Sequence, residues 1–166
     1  MPLPLEFASR LAEKIVSALS PYCDQIAVAG SIRRQRPVVN DIDLVVLQKP
    51  GCGSELRGRI LQRARPITQG PDVLIATLPL NGSAPAGERQ VQIDVWFALP
   101  PSRDLLEPIP GNWGSLLVCR TGSKAHNIFL CERAKKMGLK WNPHYGIYGP
   151  PGWPEVTTSA RSVCLD

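Results

Sequence analysis

The chain has no apolar run approaching the ~20 residues that a membrane-spanning helix requires. A helical membrane protein is therefore not expected. Cys-x-x-Cys spacing is also missing. The five cysteines (Cys23, Cys52, Cys119, Cys131, Cys164) are scattered and odd in number. Neither a zinc site nor a disulfide framework is indicated, and a reducing, cytoplasmic setting is expected. Histidine is scarce: His126 and His144 read as structural or surface residues. The N-terminal stretch MPLPLEFASRLAEKIV lacks a basic leader and carries acidic residues early, so no signal peptide is expected. There is no internal repeat and no low-complexity tract.

What is present is a globular composition, with 43% hydrophobic residues in 166. That suits one domain, or one domain with a small satellite. Nineteen basic residues against 14 acidic ones leave a net charge of +5. Such a surface suits a polyanion such as nucleic acid. The basic residues are spread along the chain, so this signal is weak by itself.

Ala8, Leu11, Ala12, Ile15, Val16 and Leu19 recur at three- and four-residue steps, which predicts a helix from Leu5 to Leu19 closed by Pro21. QIAVAG reads as a strand stopped by Gly30. Asp41 to Leu47 reads as a second strand, Asp72 to Leu78 as a third. Ser54 is read as the N-cap of a helix running to about Ala64. In RQVQIDVWFAL, Val91, Ile93, Val95 and Phe97 face one way, and Gln92, Asp94 and Trp96 the other. Asn81-Gly82 is a turn signal. A proline-rich connector, PPSRDLLEPIPGN, is the best internal boundary. Beyond it the pattern predicts a helix from Trp113 to Arg120, a break at Thr121-Gly122, and a helix capped by Ser123 and ended by Gly138. LKWNPHYGIYG reads as a small hairpin.

Asp41 and Asp43 are two apart on a strand, so both side chains leave one face while Ile42, Leu44 and Val46 point into the core. Asp94 sits on the less apolar face of another strand. If the two strands are neighbours, three carboxylates converge. Such a cluster is unfavourable without a dication, and oxygen-only ligands favour Mg²⁺ completed by substrate phosphates. The competing reading of each aspartate alone is a solvated strand residue. Gly30-Ser31 follows a strand directly. Glycine allows a tight turn that exposes backbone N–H groups, and Ser31 with Arg33 or Arg34 adds donors for a triphosphate. A phosphate cradle facing a dication site is what nucleotidyl transfer requires.

Gly30-Ser31-x-Arg33-Arg34, Asp41-x-Asp43 and Asp94, followed by TGSKAHN at Thr121 to Asn127 and AKKMGLKWNPHYGIY, resemble DNA polymerase family X, the polymerase beta type. The likeness runs from about Leu5 to Tyr148. It implies an α+β fold: a nucleotidyltransferase palm with a mixed twisted sheet and flanking helices over residues 1–110, and a small α/β nucleotide-selecting subdomain over 111–166. It implies a two-metal transfer in which a primer 3′-OH attacks the α-phosphate of a dNTP and releases pyrophosphate. By the same likeness Asp41 and Asp43 bridge two Mg²⁺ ions, with Mn²⁺ able to substitute, and Asp94 holds the catalytic ion and helps the 3′-OH lose its proton. Ser31 and Arg34 bind the β,γ-phosphates, and Gly30 supplies the tight turn. Cys119 and Arg120 lie at the nucleotide, Thr121-Gly122 bends beneath the sugar, and Asn127 contacts the minor-groove edge.

The partners implied are dNTP and primer-template or gapped DNA, with repair proteins as further partners, no membrane, and a monomeric chain of bacterial or viral type that associates with the nucleoid when on DNA. Relatives often carry lyase helices before the palm and a phosphoesterase domain after it. Neither is expected here, so DNA grip falls to Arg57, Arg59, Arg63 and Arg65 with Arg133, Lys135, Lys136 and Lys140. Cys119 stands where the family usually has an aromatic residue, which predicts relaxed discrimination between dNTP and rNTP. Phe129 and Cys131 stand where bacterial relatives often carry arginine, which predicts weak template reading and low fidelity. Three alternatives accompany this expectation: a nucleotidyltransferase with another acceptor, a template-independent terminal transferase, and an inactive nucleic-acid-binding module.

Overall fold

The computed structural model describes residues 2–80, 90–101, 111–144 and 146–149. The Asn81-Gly82 turn, most of the proline-rich connector, Cys164 and the tail from Pro150 lie outside the described residues. The chain divides into two compact units, Met1–Phe97 and Ala98–Asp166.

The first unit is built on a five-stranded mixed sheet. Its strands are β2 (Cys23–Val28), β4 (Asp41–Gln48), β5 (Arg65–Gln69), β6 (Val73–Pro79) and β7 (Gln90–Phe97), in the order β2-β4-β7-β6-β5. β4 and β7 pair in parallel and the other neighbours are antiparallel. β1 (Leu3–Pro4) and β3 (Val38–Val39) form a separate two-residue pairing. Two helices, α1 (Leu5–Leu19) and α3 (Gly53–Leu61), belong to the same core as Ile42, Leu44, Val46, Val91, Ile93, Val95 and Phe97. Strand side chains alternate, so the helices cover one face and Asp41, Asp43 and Asp94 leave the other.

α1 forms where its three- and four-residue period predicts: Ala8, Ala12 and Leu19 are buried, and Leu11, Ile15 and Val16 pack beside them. Helix α3 begins before Ser54, with Cys52 at its N-cap and no side-chain cap bond. Ser54 is therefore inside the helix rather than its cap. A helix this short, with Gly58 in its middle, is marginal alone. Leu56 and Ile60, both buried, hold it through packing, at about 1.5–3 kcal/mol for each apolar side chain removed from water. β5 has no counterpart among the elements the sequence predicts. Every residue of it is exposed, so it carries no burial alternation, and Pro66 suits an edge strand.

The second unit contains α4 (Trp113–Thr121), α5 (Lys124–Lys136) and a hairpin of β8 (Lys140–Asn142) with β9 (Gly146–Tyr148). Ser123 caps α5, its Oγ accepting from the His126 N–H at 3.4 Å. Asn112, 2% exposed, ties this unit together. Its Oδ1 accepts from the Leu99 N–H at 2.7 Å, and its Nδ2 donates to the His144 carbonyl at 3.2 Å. Asn112→Ala leaves both backbone groups unpaired and is expected to cost about 1–3 kcal/mol. Urea denaturation followed by tryptophan fluorescence measures the shift in midpoint.

Candidate active site

Parallel pairing sets the site. Asp43 and Asp94 are direct Cα partners across β4 and β7, and Asp41 is the partner of Gln92. Asp41, Asp43 and Asp94 each offer a carboxylate oxygen, and these atoms lie within 4.8 Å of one another. Asp94 is the most buried, at 9% exposure. Two like charges about 4 Å apart repel by roughly 1 kcal/mol in water and about 4 kcal/mol under the weaker screening of a protein surface. Three hard oxygen donors on a rigid sheet fit a divalent cation, which turns that repulsion into attraction.

The Gly-Ser stretch takes a form other than the open turn its sequence suggests. β2 ends at Val28, and Gly30–Arg33 makes a single helical turn, α2. Ala29 donates its N–H to the Asp43 carbonyl at 2.9 Å, which fastens the turn to β4. Gly30 has φ +57°, the left-handed region that glycine enters most freely. A Cβ there would run into Oδ2 of Asp43 and lie 2.7 Å from its Cγ. The backbone thus lies directly against a carboxylate of the cluster. Ser31 Oγ is buried without a hydrogen-bond partner among the described residues. An orphaned hydroxyl of this kind costs free energy until a ligand satisfies it. Arg34 is half-buried on the same turn, whereas Arg33 is exposed and reaches back to the Val28 carbonyl at 3.5 Å.

Cys119, Arg120, Gly122 and Asn127 all lie in the second unit. Asn127 Nδ2 donates to the Cys119 carbonyl at 2.9 Å and approaches its Sγ at 3.8 Å. Gly122, φ +69°, ends α4, and the Gly122–Ser123 peptide is cis. Burial pushes the Cys119 thiol up, against the opposing pull of Arg120 and with Cys131 adding to it, so the thiol is neutral near pH 7. Cys23, Cys52, Cys119 and Cys131 are all free.

The basic residues differ in what occupies them. Arg57 stacks on the Phe97 ring, 4.2 Å from its centroid, and donates to the Pro71 carbonyl at 2.7 Å. Arg59 donates to Gln62 Oε1 at 3.0 Å. Arg59 and Arg63 line a groove together with Ile93 and residues of α1. Ile93 is out of phase with Asp94, so this groove lies on the helix-covered face, behind the carboxylates. Lys135 and Lys136 are exposed in the last turn of α5. The cluster has a further contact within β7: Gln92 Nε2 donates to Asp94 Oδ1 at 2.8 Å. Alternation places Gln92 on the face of Asp94, but periodicity does not reveal which neighbour a long side chain bends to meet.

No family model matches the chain. Over 147 residues, 87% of this chain, it is 27% identical to the DNA polymerase/3'-5' exonuclease PolX of Bacillus subtilis (strain 168). The chain is distantly similar to a family X DNA polymerase. It spans 23% of that relative's length. The likeness and the acidic cluster together are consistent with nucleotidyl transfer and with use of a divalent metal. Among the described residues, no helix is long and apolar enough to cross a membrane.

Proposed function

We propose that this chain is the polymerase module of a DNA-directed DNA polymerase of repair type, extending a primer 3′-OH by one dNTP at a time. The observation that carries the proposal is the meeting of Asp41, Asp43 and Asp94 across adjacent parallel strands, with Gly30 packed against Asp43. In this reading residues 1–110 are the nucleotidyltransferase palm, and residues 111–166 select the nucleotide.

Asp41, Asp43 and Asp94 are the residues that would hold the divalent cations accompanying the triphosphate. When bound, such cations neutralise charge on the phosphates and acidify the attacking hydroxyl. Asp94 orients the 3′-OH and assists removal of its proton. The 3′ oxygen then bonds to the α-phosphorus as the bond to the bridging oxygen breaks, and pyrophosphate leaves. Ser31 Oγ and the Arg34 guanidinium donate to the β,γ-phosphate oxygens, which gives the buried Ser31 hydroxyl its partner. Gly30 lets the backbone lie against Asp43 without a side chain in the way. For the second unit, the likeness to family X gives Gly122, Cys119, Arg120 and Asn127 as nucleotide-selecting residues. Lys135 and Lys136 are free to contact DNA phosphates, whereas Arg57 is engaged within the protein.

The test is single-nucleotide extension on gapped DNA with Mg²⁺. Template-directed incorporation that vanishes in Asp94→Ala supports the reading. Extension that ignores the template favours a terminal transferase, and no extension under any condition contradicts the proposal. A small side chain at Cys119 also predicts incorporation of rNTP at rates approaching those of dNTP. Comparing kcat/KM for dGTP and GTP opposite the same template base checks this, and strong preference for dGTP would refute it.

A further inference from the structure

Gln92 stands two residues before Asp94 on β7, so the two side chains share a face of the sheet. Its backbone partner on β4 is Asp41, yet its amide turns along its own strand and donates from Nε2 to Asp94 Oδ1 at 2.8 Å. The amide orientation is dictated by chemistry: the reverse orientation would set its oxygen against a carboxylate oxygen. A hydrogen bond to an ionised carboxylate is stronger than one between neutral groups. The terminal torsion of an aspartate is broad when unrestrained. Holding Oδ1 therefore helps to fix the plane in which Asp94 faces Asp41 and Asp43. A neutral donor does so without placing a positive charge where a cation must bind.

We propose that Gln92 is a positioning residue that orients Asp94 for cation binding. The inference rests on reading Asp41, Asp43 and Asp94 as a cation site. Length is part of the device. Gln92→Met keeps the reach and removes the donor, while Gln92→Asn keeps an amide that is too short to meet Asp94 in the same way.

The experiment is Mn²⁺ binding to the full chain, read from the electron paramagnetic resonance signal of free Mn²⁺, for the unaltered protein, Gln92→Met, Gln92→Asn and Asp94→Asn. Both Gln92 variants are expected to weaken Mn²⁺ binding about 10-fold, the usual cost of losing a partner of a metal ligand. The kcat for primer extension should fall with it, while KM for the dNTP stays unchanged. A role in packing alone would lower the thermal midpoint and leave Mn²⁺ affinity intact. If both Gln92 variants bind Mn²⁺ like the unaltered chain while Asp94→Asn does not, the positioning role is wrong and the cation site stands. Should Asp94→Asn also bind normally, the cation site itself is refuted and the role of Gln92 with it. If Gln92→Met fails to fold, Gln92→Asn, which keeps a polar side chain on the carboxylate-bearing face, decides the matter.

Discussion

Asp43→Asn is expected to reduce Mg²⁺-dependent primer extension by about 10³-fold, since a metal clamp on a transferring phosphoryl group contributes several kcal/mol and each ~1.4 kcal/mol is tenfold in rate. Asparagine has the shape of aspartate but lacks its charge, so the fold persists. A second readout separates cation binding from other roles. A ligand at about 100 times its Kd stabilises the folded chain by about 2.7 kcal/mol. For a unit the size of Met1–Phe97, that corresponds to a rise in Tm of roughly 11–22 °C, at about 4–8 °C per kcal/mol. Thermal melts with and without Mg²⁺ should show the rise in the unaltered protein and lose it in Asp43→Asn. Lost extension with the Mg²⁺-dependent rise retained would place Asp43 outside the cation site.

Gly30→Ala is the second large effect. The left-handed φ costs a residue with a Cβ about 1–2 kcal/mol. The added methyl group must also displace the Asp43 carboxylate, a form of overpacking that costs about 1–3 kcal/mol. Together these predict a loss of roughly 2–5 kcal/mol in stability. Activity should fall about 100-fold, because displacing a catalytic group by an ångström has that order of effect. Gly51 supplies the control: its φ is +81°, but a Cβ there meets nothing within 4 Å. Gly51→Ala should incur the backbone strain and leave extension unchanged. Equal loss of activity in the two variants would show that the close approach of Gly30 to Asp43 is irrelevant.

The two alanine substitutions also mark what could be read from sequence. The helical period of α1 and the strict alternation of Val91, Ile93, Val95 and Phe97 exposed the core face directly, because burial on one side of a periodic element imposes that pattern. The same rule put Asp41 and Asp43 on the opposite face. Whether Asp94 would join them depended on β4 and β7 being neighbours in register. Pairing order is a long-range property that local pattern does not encode. The Gly-Ser stretch was legible as a tight turn but not as the helical turn α2, since four residues are too few to show a period. The exposed edge strand β5 left no trace because nothing in it is buried. The bond from Gln92 to Asp94 depends on a side-chain torsion, which no spacing reports. Gly122 was legible as a helix break, but its role at a nucleotide and that of Asn127 came from likeness to a family rather than from any pattern of their own.

Carboxylates from two strands are proposed to share divalent cations beside a triphosphate. Crystals grown with Mn²⁺ and a non-hydrolysable dNTP analogue, measured at the Mn²⁺ absorption edge, test this most directly. An anomalous peak ligated by Asp41, Asp43 and Asp94, with the analogue's phosphates against Ser31 and Arg34, is the predicted result. An ordered analogue bound elsewhere, with no peak among the three carboxylates, would contradict it.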